Sequence, residues 1–273
     1  YRIGDYSAVS ASLRFFSLGE VFLSDMEDMT INPYEFAIDA GYSRMLSERF
    51  SMAVNMRFIF SDIRYDYTAE SSAGKAFAAD IAMYRLGYFM MGSRECSFAW
   101  GLNINNIGSK ISYGGDDNAE FIPTNLRLGL NMTVPFNEYN KFSVAVDANK
   151  LLVPTYPKQD TENGETDNDY TDRVQKDYYD VSPIAGIFKS FYDAPNGFKE
   201  IQWSVGCGYT YNDRFMLRGG YHHEAANKGN RKYFTVGAGF HMSVFTVDAS
   251  YVFSTSQTNP LDQTMRFSLG FDL

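Results

Sequence analysis

The sequence predicts a transmembrane antiparallel β-barrel of the outer-membrane type, and three observations support this prediction. Apolar and polar residues alternate with a period of two along most of the chain, as on a strand with one apolar face. Short and long connections between these segments follow one another in turn. Finally, no apolar run approaches the roughly 20 residues that a membrane helix needs. A chain that crosses a bilayer without such helices must close its strands into a barrel.

Composition supports the same fold class. The 273 residues include 22 Gly, 20 Tyr and 23 Phe but only 3 His, as expected for strands with aromatic girdles. A net charge of -9 disfavours a nucleic-acid partner, which would need a basic face. The chain opens on YRIGDY without the features of a secretory signal. We therefore expect either a mature form or an internal fragment, with a single barrel domain over residues 1–273.

The last segment illustrates the alternation. One side carries Met265, Phe267, Leu269, Phe271 and Leu273, and the other carries Arg266, Ser268, Gly270 and Asp272. Seven further segments give an apolar side without a charge: residues 34–42, 50–60, 96–104, 126–134, 142–148, 201–211 and 245–253. An Arg or Lys facing lipid at mid-bilayer costs about 2–4 kcal/mol, so we assign the apolar sides to the lipid.

The opposite, inward sides carry charges of both signs. We expect these residues to form a polar network in the lumen: Glu35, Asp39, Arg57, Arg127, Asp147, Arg218, Asp248 and Arg266. Such a network either fills a narrow lumen with salt bridges and hydrogen bonds or lines a polar permeation path. The mixed signs disfavour a strongly ion-selective ring.

Two segments break the alternation. Phe15 and Phe16 are adjacent, and Arg85 interrupts the apolar side of FAADIAMYRLGYF. Each break predicts a β-bulge or a strand that passes into another environment.

The connections predict twelve strands and an orientation. Tight links are expected near residues 47–49, 92–95, 137–140, 212–213 and 243, and long polar ones near 25–32, 66–74, 109–121, 153–199, 226–231 and 256–263. Outer-membrane barrels have short periplasmic turns and longer extracellular loops. The long set is therefore expected outside and the C-terminus in the periplasm.

The connection 153–199 is long enough to suggest a function. Its first part, QDTENGETDNDYTD, is predicted to be a mobile solvated loop, with a calcium site as the alternative that its acidic residues leave open. Its second part predicts a short amphipathic helix with Ser182 as N-cap and Pro183 in the first turn, ended by Pro195, Asn196 and Gly197. One face would carry Ile184, Ile187, Phe188 and Phe191. This face either packs on the barrel mouth or meets a partner or ligand.

The residues offer little support for catalysis, a cofactor or a bound metal, and we expect none of these. His222 and His223 are adjacent in a strand and face opposite sides, so the pair cannot chelate one metal. A lipid-facing hydrolase that uses His223 and a neighbouring serine is the catalytic alternative. Cys96 and Cys207 lie in strands that are not sequence neighbours, so no disulfide is expected.

The sequence resembles the PorV proteins of Bacteroidetes in three places. These are two N-terminal runs, SASLRFFSLGEVFLSD and NPYEFAIDAGYSRMLSERFSMAVNMRFIFSD, and the closing RFSLGFDL. The PorV proteins are outer-membrane components of type IX secretion and are related to FadL-like transporters. The resemblance implies a FadL-like barrel of 14 strands and a non-enzymatic role. Because only twelve strands are predicted here, it also implies that the N-terminal part of the barrel, with a plug segment and strands, is missing from these residues. Its members are thought to bind the C-terminal domain of secreted cargo at the translocon barrel. They are thought to deliver the cargo to a cell-surface sortase and attachment complex, which anchors it to lipopolysaccharide.

The implied partners are therefore the translocon barrel, cargo C-terminal domains, the attachment complex, membrane lipids and lipopolysaccharide. We expect a cargo or translocon surface formed by Ile184, Ile187, Phe188 and Phe191 together with the long loops near residues 25–32, 109–121 and 153–199. Two alternatives remain: a FadL-like transporter of hydrophobic small molecules, which needs a continuous apolar lumen, and a lipopolysaccharide deacylase.

Overall fold

The computed structural model describes residues 1–22, 30–63, 72–114, 119–160, 164–193, 197–255 and 262–271. Parts of five predicted long connections, near 25–32, 66–74, 109–121, 153–199 and 256–263, lie outside the described residues. The same is true of Pro195 and Asn196, which were predicted to end the helix, and of Asp272 and Leu273 in the last strand.

Within these residues, thirteen strands form one antiparallel sheet in which each strand pairs with its neighbours in chain order. They are β1 (Arg2–Ile3), β2 (Ser7–Ser17), β5 (Tyr34–Ser47), β6 (Phe50–Asp62), β7 (Gly74–Met91), β8 (Arg94–Gly108), β9 (Asn125–Pro135), β10 (Asn140–Leu151), β11 (Ile201–Tyr211), β12 (Phe215–His223), β13 (Lys232–Met242), β14 (Phe245–Ser254) and β15 (Met265–Phe271). A separate hairpin pairs β3 (Val21–Phe22) with β4 (Thr30–Ile31). Among the described residues, no pairing joins β15 to β1 or β2.

Twelve strands of the sheet are long, as predicted, and β1 is a two-residue addition at its edge. The strand bounds also confirm the alternation of connections: residues 48–49, 92–93, 136–139, 212–214 and 243–244 link strands at one end of the sheet, and the longer connections lie at the other. We call these ends the short-turn rim and the long-loop rim.

The alternation of faces is also confirmed. On β5, Ile38 and Ala40 are exposed on the apolar, outer face, while Asp39 between them is 6% exposed on the polar, inner face. Outer-face aromatic residues pack together near both rims, as the belts of a spanning barrel do. The long-loop set includes Tyr34, Phe36, Phe60, Trp203 and Phe234, and the short-turn set includes Phe50, Trp100, Phe136, Phe142, Phe215 and Phe240.

Neither predicted phase break lies at a bulge, so the bulge alternative of that prediction was wrong. Strand β2 runs continuously through both phenylalanines, with Phe15 opposite Phe36 on the outer face and Phe16 opposite Glu35 on the inner face. Phe16 therefore keeps the strand period and faces an apolar part of the lumen.

Arg85 also keeps the period of its strand. It lies on the outer face opposite Phe50 and Trp100, close to the short-turn rim. At that depth a long cationic side chain reaches the interface while its stem covers apolar surface, so a charge on the outer face needs no change in backbone geometry.

Register shifts lie elsewhere: one falls between Met45 and Ser47, where β5 meets β6, and the other is a bulge where β7 meets β8. Ala79 pairs with Ile107 and Ile81 with Ile104, so Asn105 and Asn106 both face the single residue Asp80. Asn106 adopts a left-handed conformation with φ 56°, which asparagine tolerates better than most residues. The turn aims its backbone N–H at Asp80 Oδ1, 2.8 Å away.

The long connection between β8 and β9 folds over the inner face. Ile111 and Ile122 pack with Ala76, Ala78 and Ile59 from the wall, and this is the apolar core of the described chain. The inner face therefore carries an apolar cluster near the long-loop rim.

Two helices occupy the connection between β10 and β11: α1 (Asp167–Val174), which continues into a π-helical turn (Gln175–Tyr179), and α2 (Pro183–Lys189). The prediction of a mobile loop over the acidic segment was wrong, because Thr166 caps α1 and accepts a hydrogen bond from the Asp169 N–H. Asp167 and Asp169 in the first turn and Arg173 in the last suit the helix dipole.

Among the described residues, no helix is both long and apolar enough to span a bilayer.

Adjacent residues of β10 allow a direct test of the two faces. Val146 is outward and Ala145 inward, opposite Asn131 and Gly206. We expect Val146→Arg to lower the free energy of unfolding in lipid vesicles by about 2–4 kcal/mol and Ala145→Arg to change it by less than about 1 kcal/mol, because the lumen is polar. Urea titration followed by the fluorescence of Trp100 and Trp203 measures both. Equal costs for the two variants would contradict the assignment of faces.

Candidate functional site at the long-loop rim

The predicted inward charges do not form one network. Arg57 is the centre of the largest group, which we call the Arg57 cluster. Its Nε lies 2.6 Å from Asp39 Oδ1 and its Nη2 lies 3.0 Å from Asp80 Oδ2, with all three side chains at most 15% exposed. Nη1 donates to Asn106 Oδ1 at the bulge. One guanidinium thus joins four neighbouring strands, β5 to β8.

Further donors complete the cluster. Asn55 Nδ2 donates to both carboxylates, at 2.9 and 3.3 Å, and Ser12 Oγ and Arg14 Nη2 donate to Asp39 Oδ2 at 3.0 and 3.1 Å. The sequence reasoning missed Asp80, although it has the inward parity of its strand, because Arg85 was read as a break in that strand.

The other predicted residues are spread along the inner wall. Glu35 accepts from Ser61 Oγ at 2.6 Å, Arg127 Nε donates to Asn149 Oδ1 at 2.6 Å, and Arg218 lies 3.2 Å from Asp248. Asp147 lies opposite Gly129 and Ser204. Arg266 lies opposite Ser250 near the edge of the sheet.

A cavity of about 840 Å³ lies between β2, β5, β6 and the 111–123 segment. Its apolar lining includes Phe16, Ile59, Ile111 and Phe121, and Arg57 also lines it. The apolar part of this cavity is therefore bordered by Arg57 of the Arg57 cluster.

The connection between β10 and β11, which carries the helices, is anchored at Lys110, a residue of the connection between β8 and β9. The ammonium donates to the backbone oxygens of Tyr178 and Tyr179, at 3.2 and 2.6 Å, and lies 4.1 Å from the centre of the Phe121 ring. Burial lowers the pKa of Lys110, although the carboxylates of Glu120 and Asp180 act in the opposite direction. A cation is thus held where the carbonyls at the end of a helical segment need a donor.

The two tyrosines make the second half of this anchor. Their hydroxyls donate to Glu120, at 2.9 Å from Tyr178 and 3.2 Å from Tyr179, and Tyr156 packs edge-on against Tyr178. Burial, followed by hydrogen bonding to Tyr156, raises the pKa of Tyr179 to about 12. Both phenols therefore stay neutral donors to Glu120 at physiological pH.

Helix α2 packs through its smallest residue. A Cβ on Gly186 would lie 2.7 Å from the Phe121 ring and 3.1 Å from Pro154, so glycine permits close contact with the wall. Ser182 caps the helix as predicted, accepting from the Ala185 N–H. At the other end, Thr155 N–H donates to Asp193 Oδ2 at 2.6 Å.

This packing leaves an apolar ridge on the surface. We call Ile184, Phe188, Phe191 and Tyr192 the α2 ridge, and they are 64%, 66%, 53% and 75% exposed. Ile187, predicted on the same face, is half-buried. The helix ends at Lys189, so the prediction that Phe191 lies on it was wrong.

Phe191 instead lies against the outer wall. It borders a groove of about 520 Å³ together with Leu126, Leu128 and Ile201, which are outward residues of β9 and β11. The α2 ridge is thus continuous with the lipid-facing surface near the long-loop rim.

The histidines are placed differently from the catalytic alternative. His223 stacks on Trp203 in the outer aromatic belt, with ring centres 5.1 Å apart. It is His222, on the inner face, that contacts a serine: its Nδ1 lies 2.9 Å from Ser204 Oγ. Register between β11 and β12 produces this pair, which a single sequence does not reveal. Cys96 is buried and Cys207 exposed, and both thiols are free.

These features define an outer-membrane protein that spans the bilayer with antiparallel strands and carries an ordered apolar ridge at one rim. Comparison with known families gives the particular type. Residues 1–158 match the family described as type IX secretion system protein PorV, and the chain therefore belongs to the PorV family. This is a secretion-system family, not an enzyme family.

The match includes β1 to β10 and ends before α1 and α2. No curated protein matches the chain. Among solved structures, the crystal structure of the outer membrane protein OprD from Pseudomonas aeruginosa matches with 10% identity and a TM-score of 0.39, covering 96% of this chain and 83% of that one.

The Arg57 cluster predicts a large stability difference between two inner-face arginines. Arg57→Met leaves the buried Asp80 without its cation and Asp39 with the exposed Arg14 as its remaining ion pair, which should cost about 3–5 kcal/mol. Arg218→Met is the matched control, because its pair with Asp248 is more exposed and should contribute about 0–1 kcal/mol. Urea unfolding in vesicles measures both. A cost for Arg57→Met no larger than for the control would show that the cluster does not stabilise the wall.

The anchor at Lys110 predicts a local effect. Lys110→Met should increase amide hydrogen exchange over residues 170–193 by at least tenfold while exchange in β5 to β8 stays unchanged, because the bonds to Tyr178 and Tyr179 are lost. Lys141→Met, which removes a surface pair with Asp213 at the other rim, is the control. Unchanged exchange in the helical segment would contradict the anchoring role.

Proposed function

We propose that this protein is a non-enzymatic outer-membrane component of type IX secretion. It binds the C-terminal domain of secreted cargo at the translocon barrel and passes the cargo to the cell-surface sortase and attachment complex. The exposed α2 ridge, held in place on an anchored connection, is the observation that carries this proposal, together with membership of the PorV family.

The ridge has the properties of an interaction surface. Four neighbouring large apolar side chains are each more than half exposed, and contiguous exposed apolar patches commonly mark protein or membrane contacts. The helix beneath them is fixed by Gly186, Lys110 and the Thr155–Asp193 bond. A preformed surface loses little conformational entropy on binding.

Orientation supports a role outside the cell. The α2 ridge lies at the long-loop rim, and longer loops face the exterior in outer-membrane barrels. With the long-loop rim outside, the end of β15 lies at the periplasmic side. Cargo emerging on the cell surface would then meet the ridge.

The ridge gives a test with a matched control. The double variant Ile184→Asp/Phe188→Asp should reduce co-purification of cargo C-terminal domain or translocon barrel by at least tenfold, because two charges enter the contact. The control is Phe136→Asp/Tyr139→Asp, which alters residues of similar exposure at the short-turn rim and should leave co-purification unchanged.

The two partners are assayed separately in the same pull-down, with heat-modifiable gel mobility as a check that each variant is folded. Retention of both partners by the folded ridge variant would exclude the ridge as the binding surface. Equal losses in the ridge variant and the control would point to a general defect.

A further inference from the structure

A second cavity, which we call the Arg127 cavity, lies on the inner side of the long-loop rim between the ends of β9 and β12. Its volume is about 520 Å³. The charged residues that line it are Arg127, Lys228, Arg231, Glu200 and Glu224. Its other lining combines polar residues such as Asn149 and Gln202 with apolar ones such as Leu151 and Val153, and its five charged residues distinguish it from the apolar cavity beside the Arg57 cluster.

The charges around this cavity do not balance. Glu224 is 1% exposed and is paired with Arg231, whose Nε lies 2.8 Å from Oε2. The carboxylate of Glu200 pairs with two lysines: Lys150 Nζ lies 2.6 Å from Oε2 and Lys228 Nζ lies 2.6 Å from Oε1.

Arg127 makes its hydrogen bond to a neutral amide, that of Asn149. Among the charged residues that line the cavity, three cations therefore meet two carboxylates, which leaves one positive charge in a chain whose net charge is -9.

Both carboxylates remain ionised at neutral pH. Burial raises the pKa of Glu224, but hydrogen bonds from Arg231 outweigh it and hold the pKa below its ordinary value. For Glu200, burial is likewise outweighed by Lys150 and Lys228. The pairs therefore persist, and the positive excess is a fixed property of the cavity.

Arg127 has the donors that an oxyanion needs. Among the described residues, only its Nε donates a hydrogen bond, so the terminal nitrogens have four N–H groups in a planar fork that matches phosphate or carboxylate oxygens. Neighbouring polar side chains are already oriented: Gln202 Nε2 donates to Glu224 Oε1 at 2.6 Å, and Asn149 lies between Arg127 and Gln202 in the register of the sheet.

We propose that the Arg127 cavity binds a phosphate group, with the Arg127 guanidinium as its principal ligand and Lys228 and Arg231 at its edge. A phosphate group offers three acceptor oxygens to Arg127 and to the cations at the edge, whereas a carboxylate offers two. The phosphate belongs either to the headgroup of an outer-leaflet lipid or to a free solute. This site is independent of the α2 ridge and of the proposed secretion role.

Calorimetric titration of the full chain in zwitterionic detergent tests the site. Inorganic phosphate is titrated in one arm, and micelles containing phosphatidic acid are titrated in the other. We expect saturable binding in at least one arm, at least tenfold weaker for Arg127→Gln and unchanged for Arg218→Gln, an inner-wall arginine of another pair. Binding of phosphate alone assigns a free solute, and binding of the lipid alone assigns a headgroup.

Three results would overturn the proposal: no saturable binding in either arm, equal affinity of Arg127→Gln and the unsubstituted protein, or acetate binding as tightly as phosphate. Gel mobility checks folding of each variant. If Arg127→Gln does not fold, Lys228→Gln, outside the strands, replaces it and should weaken binding at least threefold. Unchanged affinity of that variant would equally contradict the site.

Discussion

The structure depends on one constraint: within a bilayer, every backbone N–H and C=O must find its partner inside the protein. Antiparallel pairing along twelve long strands meets this need within the sheet, whose two edges do not pair with each other among the described residues. Because side chains alternate across each strand, the same pairing fixes one face toward lipid and the other toward the lumen. The outer aromatic belts and the inner charges both follow from this alternation. A shift of one residue in any strand would exchange the two faces.

Placing polar residues inside creates a second requirement, since buried charges are costly unless they are paired. The Arg57 cluster meets it by joining two carboxylates and an amide across four strands, and the bulge at Asn106 supplies a backbone donor to Asp80. Glycines make room where carboxylates are crowded: a Cβ on Gly239 would lie 2.4 Å from Asp248 Oδ1. On the other half of the wall, between β9 and β12, positive charge exceeds negative charge, and that difference distinguishes the Arg127 cavity from a filled lumen.

The sequence was sufficient for the faces, the twelve long strands, the alternating connections and the cap of α2, because each depends on local period or on one residue type at one position. The sequence was insufficient for contacts that depend on strand register or on tertiary packing. Asp39, Arg57 and Asp80 meet because three strands align, and the pair of His222 with Ser204 arises in the same way. Helix α1 was read as mobile because its acidic residues suggested solvation, whereas Thr166 and the pair of Arg173 with Glu165 stabilise it. Phe191 was assigned to a helix face, but the chain leaves the helix at Ser190 and turns onto the outer wall.

The proposed secretion role requires that partners can reach the α2 ridge from outside the cell. The long-loop rim, with its anchored helices, must therefore face the exterior. Site-specific labelling of intact cells with a membrane-impermeant maleimide tests this directly, in a background where Ala replaces Cys96 and Cys207. Lys158→Cys, on an exposed part of the long connection, should be labelled in intact cells. Glu138→Cys, in a short turn at the opposite rim, should be labelled only after the outer membrane is permeabilised. Labelling of Glu138→Cys in intact cells with protection of Lys158→Cys would contradict the account.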